Sequence, residues 1–151
     1  MEKSVTCFLP FSEPGPVAAS ISSLKASGLV DRVFVVVPPD GERSVAGQEV
    51  ESIASGGFSS TDALKKMAAA AAGCKYVLTY SKGFPLDMGK HALARRMQIC
   101  DDTGAGIVYS DYYENKNGVM SPHPVIDYQE GALRDDFNFG SVILYRADAF
   151  R

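Results

Sequence analysis

The sequence contains no apolar run of about 18 residues, the shortest stretch that spans a membrane as a helix, so no membrane span is predicted. It also lacks an excess of basic residues, because 15 lysines and arginines stand against 18 aspartates and glutamates. Phosphate-backbone binding requires a basic surface, so the net charge of −3 argues against a nucleic-acid partner. The 151 residues, 46% hydrophobic and 22% charged, suffice for one globular domain with a hydrophobic core.

Cysteine is scarce and shows no pattern. Cys7, Cys74 and Cys100 lie far apart in apolar surroundings, with no CxxC spacing and no even number from which to build a disulfide framework. We therefore expect three reduced thiols and a cytoplasmic protein. The N-terminal segment carries one lysine and a short apolar stretch that Pro10 interrupts, which predicts a first strand rather than a signal peptide.

Several catalytic signatures are absent as well. No Walker sequence and no GxGxxG follows a predicted strand, which weakens the ATPase and dinucleotide-binding interpretations. No GxSxG elbow is present, so a hydrolase is not favoured. His91 lies in a predicted helix without a partner one turn away, and no zinc site is predicted.

The sequence does contain a regular alternation of strands and helices. Short apolar runs, typical of strands buried on both faces of a parallel sheet, alternate with amphipathic segments. The predicted strands lie at 5–9, 33–37, 50–53, 76–79, 107–110 and 142–145. One helix is predicted at 16–27, a second begins at a capping residue within 59–61, and a third runs from a cap at Asp87 to about Gly104. This order predicts an α/β domain with a mainly parallel sheet, flanked by helices and joined by right-handed crossovers.

Two helices show an apolar stripe, and one turn is specific. Leu64, Met67, Ala68 and Ala71 are predicted on the inner face of the second helix, and Leu93, Met97 and Cys100 on that of the third. Asn117-Gly118 is a type I′ turn signal and predicts a β-hairpin. The sequence ends in RADAFR (146–151), which is typical of the first turn of a helix, so we expect a single domain that belongs to a longer protein.

Ligands of parallel α/β sheets bind at the carboxyl ends of the strands. Four segments follow predicted strands and are the candidates for such a site: Pro10–Ser12, Pro38–Gly41, Tyr80–Gly83 and Asp111–Tyr113. Aromatic side chains in these segments, such as Tyr80, can stack on a base or a sugar.

The order of several segments resembles the nucleotide-sugar-binding half of family 2 glycosyltransferases. Leu9-Pro10-Phe11-Ser12 stands where the family has Pro-Thr/Tyr-Asn after its first strand, and Pro39-Asp40-Gly41-Glu42 where it has Asp-Asp-Gly-Ser. The segments at 102–114 (DTGAGIVYSDYYE) and 137–150 (FNFGSVILYRADAF) carry the strongest similarity. The resemblance implies a three-layer, Rossmann-like GT-A fold over residues 1–151.

The resemblance fails at the metal site. The family's third main strand ends in Asp-x-Asp, which holds Mg²⁺ or Mn²⁺ against the diphosphate, whereas this chain has Tyr80-Ser81-Lys82. The resemblance implies a divalent metal, but the replaced acids argue against one. Lys82 can act as a point cation on the phosphates instead, and Asp111 is predicted near the sugar or a metal ion.

The resemblance implies a nucleotide-sugar donor, with a UDP-sugar favoured, and inverting transfer to a glycan or lipid-linked acceptor in polysaccharide or glycoconjugate synthesis. Pro10, Phe11, Ser12 and Asp40 are predicted around the nucleotide, and Tyr80, Lys82 and Asp111 beside the diphosphate and sugar; the residues at 1–151 alone are expected to bind but not catalyse. A degenerate, non-catalytic binding or scaffolding module remains an alternative. An unrelated α/β domain, such as a nucleotidyltransferase or a flavodoxin-like regulator, is a third.

Overall fold

The computed structural model of the protein describes residues 4–41 and 50–151. Its elements in chain order are β1 (Val5–Pro10), α1 (Pro14–Ala26), β2 (Val30–Val37), β3 (Glu51–Ala54), α2 (Thr61–Ala70), β4 (Tyr76–Tyr80), α3 (Gly89–Thr103), β5 (Ile107–Val108), β6 (Tyr112–Lys116), β7 (Val119–His123), β8 (Val142–Arg146) and α4 (Ala147–Phe150).

The described strands form a mixed sheet with the order β3-β2-β1-β4-β8-β5, and β6 pairs with β7 in a separate hairpin. β1 pairs in parallel with β2 and β4, and β2 with β3. β8 is antiparallel to both β4 and β5, so β5 runs in the same direction as β1, β2 and β4. The predicted fold class, a mainly parallel sheet between layers of helices, is confirmed.

Both faces of the central strands are buried, which explains their continuous apolar sequences. Cys7 and Leu9 of β1 face the core beneath α1 and α3, while Phe8 between them faces the core beneath α2 and α4. β2 alternates in the same way. Because neighbouring side chains of a strand point to opposite faces, three layers follow directly from these strands.

The helices begin and end at residues with recognisable roles. Ser60 is the N-cap of α2, and its hydroxyl accepts a hydrogen bond from the Ala63 N–H at 3.1 Å. Gly104 ends α3 in the left-handed conformation, with φ of 71°. α1 begins at Pro14, two residues before the predicted start at Pro16, because either proline fits a first helical turn.

Two sequence predictions are wrong in detail. Leu64 was predicted on the inner face of α2, but its side chain is 47% exposed, and Ala63 takes the buried position beside Met67. The strand predicted at 107–110 is only two residues long, and Ile107 is half exposed. It lies at the edge of the sheet, where β8 is the one described strand that pairs with it.

Other predictions are confirmed. Leu93, Met97 and Cys100 are buried on the inner face of α3. Asn117 and Gly118, with φ of 54° and 85°, form the turn between β6 and β7. The three cysteines are free thiols, and burial raises the pKa of Cys7 and Cys100. Among residues 4–41 and 50–151, no helix is both long and apolar enough to cross a membrane.

Candidate functional site

The carboxyl ends of β1, β2 and β4 meet at one edge of the sheet because these strands are parallel neighbours. β5 ends at the same edge because it has the same direction. The four candidate segments therefore share this edge, which we call the carboxyl edge. Open α/β sheets bind their ligands at this position.

The segment after β1 is held against its neighbours on both sides. The Phe11 N–H donates to the Val36 carbonyl of β2 at 2.8 Å, and the Ser12 hydroxyl donates to the Gly83 carbonyl at 2.8 Å. Pro10 is the last residue of β1 and pairs with Val36. Pro10, Phe11 and Ser12 thus form a bridge between the ends of β2 and β4.

The approach of Ser12 to Gly83 requires glycine. A Cβ atom at Gly83 would lie 2.8 Å from the Ser12 Cβ, well inside van der Waals contact. The segment after β4 passes over Ser12 only because residue 83 has no side chain. Sequence inspection does not reveal this contact, because 71 positions separate the two residues.

Tyr80 lies within the fold rather than on its surface. Its side chain is 6% exposed, and its hydroxyl donates to the Phe84 carbonyl at 2.9 Å. Burial raises the pKa of this phenol. The ring packs among the side chains beneath α1 and α3, so no face of it is open for stacking on a base. Tyr113 at the hairpin, 67% exposed, is the more accessible aromatic ring.

Lys82 is exposed at the carboxyl edge, beside a groove that Pro10, Gly83 and Phe84 also line. The groove contains no enclosed space as large as a water molecule, so a ligand at this edge would lie on its surface. A hydrogen bond from Lys116 lowers the pKa of Glu114, and the positive charge of Lys82 contributes to the same effect. The hairpin β6–β7 therefore lies within electrostatic range of Lys82.

Asp111 lies between β5 and the hairpin. Its Oδ1 accepts a hydrogen bond from the Val125 N–H at 2.8 Å. The Ser81 N–H donates to the Ser141 carbonyl at 3.0 Å, and the neighbouring Gly140 lies against the Tyr112 ring and the Ser110 carbonyl. The segment 140–141 thus joins the end of β4 to the end of β5.

Asp40 is exposed in the turn that follows β2. The Gly41 N–H closes this turn by donating to the Pro38 carbonyl at 2.9 Å. The last residue of the compared motif, Glu42, lies outside the described residues. Asp40 is on the carboxyl edge beside β1, on the opposite side of β1 from Lys82 and Asp111.

The residues described at this edge offer few donors for a divalent metal. Residues 4–41 and 50–151 contain no group of three or more histidine, cysteine, aspartate or glutamate side chains placed to hold an ion. Asp111 is the predicted metal ligand, and one of its carboxylate oxygens already accepts a main-chain hydrogen bond. Mg²⁺ sites normally use one or two carboxylates in addition to substrate phosphates, so a metal ion held by Asp111 would depend on the phosphates of a ligand and on water for its other donors.

One residue near this edge was missed in the sequence analysis. Arg96 of α3 donates from Nη2 to the Ser110 hydroxyl at 2.5 Å, just beyond the end of β5. Burial lowers the pKa of its guanidinium. The signal was present in the spacing, because Arg96 lies three residues after Leu93 and four before Cys100, on the flank of the buried stripe.

No family model and no curated protein sequence matches the chain. Among the solved structures similar to it are two with 17% sequence identity each. A 4-diphosphocytidyl-2C-methyl-D-erythritol synthase has a TM-score of 0.54, with 97% of this chain and 76% of that one covered. A 2-C-methyl-D-erythritol 4-phosphate cytidylyltransferase from Thermus thermophilus has a TM-score of 0.51, with coverage of 98% and 72%. At this identity the likeness shows a common fold.

Proposed function

We propose that the carboxyl edge binds a nucleotide-sugar donor, with a UDP-sugar favoured, for inverting glycosyl transfer to a glycan or lipid-linked acceptor in polysaccharide or glycoconjugate synthesis. The observation that carries the proposal is the meeting of three segments at one edge, after β1, β4 and β5, with an exposed cation beside them. The fold shared with two nucleotide-using transferases supports the same ligand class.

In this proposal Pro10, Phe11 and Ser12 contact the nucleotide from one side, and Asp40 contacts it beyond β1. Phe11 is half-buried and its main chain is fixed by β2, so this wall is preorganised. Ser12 also connects the nucleotide wall to the segment that carries Lys82, since its hydroxyl holds Gly83.

Lys82 takes the task of neutralising the diphosphate. As a glycosyl donor reacts, negative charge develops on its leaving phosphates. A fixed cation beside these phosphates stabilises the transition state. Lysine is a compact point charge with three donors, which suits a diphosphate on an open surface. Asp111 follows β5, which β8 separates from β4, and in this proposal it accepts a hydrogen bond from a sugar hydroxyl.

Calorimetric titration with UDP, GDP and CDP, each with and without Mn²⁺, tests the proposal. We expect binding of UDP that does not respond to Mn²⁺, and we expect Lys82→Ala to weaken it about 10- to 100-fold, the value of one charge-assisted hydrogen bond. The matched control is Lys65→Ala, which removes the same charge from an exposed position on α2.

The outcomes separate the hypotheses. Equal loss in the Lys82 and Lys65 variants would make the effect one of overall charge and remove the role assigned to Lys82. A strong increase in UDP affinity on adding Mn²⁺ would return that role to a metal ion. Absence of binding to any nucleotide would refute the donor site and favour a non-catalytic scaffolding module.

Nucleotidyl transfer is the second candidate, because the two solved structures compared above are named as a diphosphocytidyl-methylerythritol synthase and a cytidylyltransferase. Such a reaction starts from a nucleoside triphosphate, which carries more charge than a nucleotide sugar. CTP added to the same titration distinguishes the two functions. Tighter binding of CTP than of UDP or CDP would favour nucleotidyl transfer over glycosyl transfer.

A further inference from the structure

Arg96 is a half-buried cation without an acidic partner in the described part of the chain. Its contacts are the Ser110 hydroxyl, at 2.5 Å from Nη2, and the Met88 sulfur, at 3.8 Å from Nη1. None of the ion pairs found there involves it, whereas Arg146 and Arg134 on the same molecule each pair with an aspartate. A guanidinium carries five N–H donors, so most of those of Arg96 are not used by oxygens of the described residues.

One guanidinium nitrogen of Arg96, Nε, has no hydrogen-bond partner among the described residues. Thr6 Oγ1 is the one fully buried side-chain polar atom without a partner in that part of the chain, so Nε is not fully buried. A half-buried cation with an unused donor that is not fully covered can receive an anion.

An anion at this position would also remove an energetic cost. Burial lowers the pKa of Arg96, which means that the described surroundings disfavour its charged form without offering a compensating carboxylate. Arginine nevertheless stays protonated in proteins. A bound oxyanion supplies the missing counter-charge and, because the guanidinium is planar, can accept two parallel hydrogen bonds from it.

The position relates Arg96 to the carboxyl edge. Ser110 follows β5 and precedes Asp111, and its hydroxyl donates to the Asp111 carbonyl at 3.0 Å. The Ser110 carbonyl lies next to Gly140, and the adjacent Ser141 holds the Ser81 N–H. The segment 140–141 therefore contacts both Ser110, the partner of Arg96, and Ser81, the neighbour of Lys82 in the chain.

We propose that Arg96 binds a phosphate oxyanion of the ligand at the carboxyl edge, with the Ser110 hydroxyl orienting the guanidinium. The inference rests on the proposed function, since it assigns a second cation to the same diphosphate. Lys82 and Arg96 then share the charge neutralisation that a metal ion performs where paired acids are present.

The test is calorimetric titration of inorganic pyrophosphate, UDP and uridine into the wild-type protein and two variants. We expect Arg96→Gln to weaken pyrophosphate and UDP about 10- to 100-fold and to leave uridine unchanged. The matched control is Arg95→Gln, an exposed neighbour on α3 that donates to Gln98 at 3.2 Å and whose loss removes the same charge. The control is expected to bind all three probes like the wild type.

A second substitution covers the case in which glutamine at position 96 prevents folding, as judged by circular dichroism. Arg96→Lys keeps the positive charge but loses the planar fork. We expect it to retain the fold and to bind pyrophosphate several-fold more weakly than the wild type. A merely structural arginine would change the melting temperature of these variants without separating pyrophosphate from uridine.

Three results would decide the matter. Unchanged pyrophosphate and UDP binding in the folded Arg96 variants would overturn the inference and leave the proposed function standing. Absence of binding of either anion to the wild type would overturn the inference as well. Arg96-dependent binding of pyrophosphate, with UDP binding no tighter than pyrophosphate, would support the inference while removing the proposed nucleotide site.

Discussion

The contact between Ser12 and Gly83 allows a quantitative test of how the carboxyl edge is held together. In Gly83→Ala the new Cβ would begin 2.8 Å from the Ser12 Cβ and 3.1 Å from its Oγ. Carbon atoms in contact prefer separations of about 3.5–4.0 Å. The segments after β1 and β4 must move apart by roughly 0.7 Å or more to restore this distance.

The expected cost follows from two contributions. Overpacking a close contact typically costs about 1–3 kcal/mol, and an exposed segment that can move lies at the lower end of this range. Separation also weakens the hydrogen bond from Ser12 to the Gly83 carbonyl, worth about 0.5–1.5 kcal/mol. We therefore expect Gly83→Ala to lower the free energy of unfolding by about 1–2 kcal/mol, together with weaker UDP binding.

Urea denaturation followed by circular dichroism measures the effect. Ser12→Gly removes the atoms that the new methyl group meets, so Gly83→Ala should cost at least about 0.5 kcal/mol less in that background. Gly56→Ala is the matched control, because no atom lies within 4 Å of its added Cβ and its φ is not positive. If Gly83→Ala costs no more than this control, or the same with and without Ser12, the proposed steric coupling is refuted.

Two further predictions concern the scaffold. Leu144 is fully buried in β8, between β4 and β5, so Leu144→Ala should lower the free energy of unfolding by about 2–5 kcal/mol. Leu64 is exposed on α2, so the control Leu64→Ala should change this free energy by less than about 0.5 kcal/mol. Equal urea midpoints for the two variants would contradict the assigned core. Hydrogen bonds from Tyr76 and Lys75 lower the pKa of Asp101 in the folded protein. The ionised carboxylate therefore stabilises the fold fully above the ordinary carboxyl pKa of 3.8, and this stabilisation disappears as pH falls through the lower pKa of the folded state. We expect Asp101→Asn to flatten the acid part of the stability curve, and an unchanged slope between the two proteins would refute this.

Local sequence signals accounted for most of the elements. The apolar runs of β1, β2 and β4 are recognisable because each strand is buried on both faces, and Asn117-Gly118 is recognisable because few other residues adopt positive φ at both positions. The errors fall where burial depends on neighbours. Leu64 fits the period of α2 as well as Ala63 does, and only the docking of the helix on the sheet decides which of them is covered.

The candidate site divides in the same way. Parallel strands place their carboxyl ends together, so Pro10–Ser12 and Lys82 could be assigned to one edge from the order of elements alone. The order of elements did not show whether the Tyr80 ring is open for stacking on a ligand. In the fold the ring is buried and its hydroxyl donates to the Phe84 carbonyl. Spacing alone placed Arg96 on the flank of the buried stripe of α3, but its lack of an acidic partner among the described residues is a property of three-dimensional neighbours.

Periodicity and turn chemistry act over a few residues, and they were sufficient to determine the alternating strands and helices, the three layers and the edge that the four candidate segments share. Contacts between distant segments depend on the packing of the whole chain. Packing alone decided that β8 inserts antiparallel between β4 and β5, that Ser12 meets Gly83, and that Arg96 lies beside the Ser110 hydroxyl. The physical reason is that sheet order, close approach and charge pairing depend on which surfaces are buried together, and no local pattern records that choice.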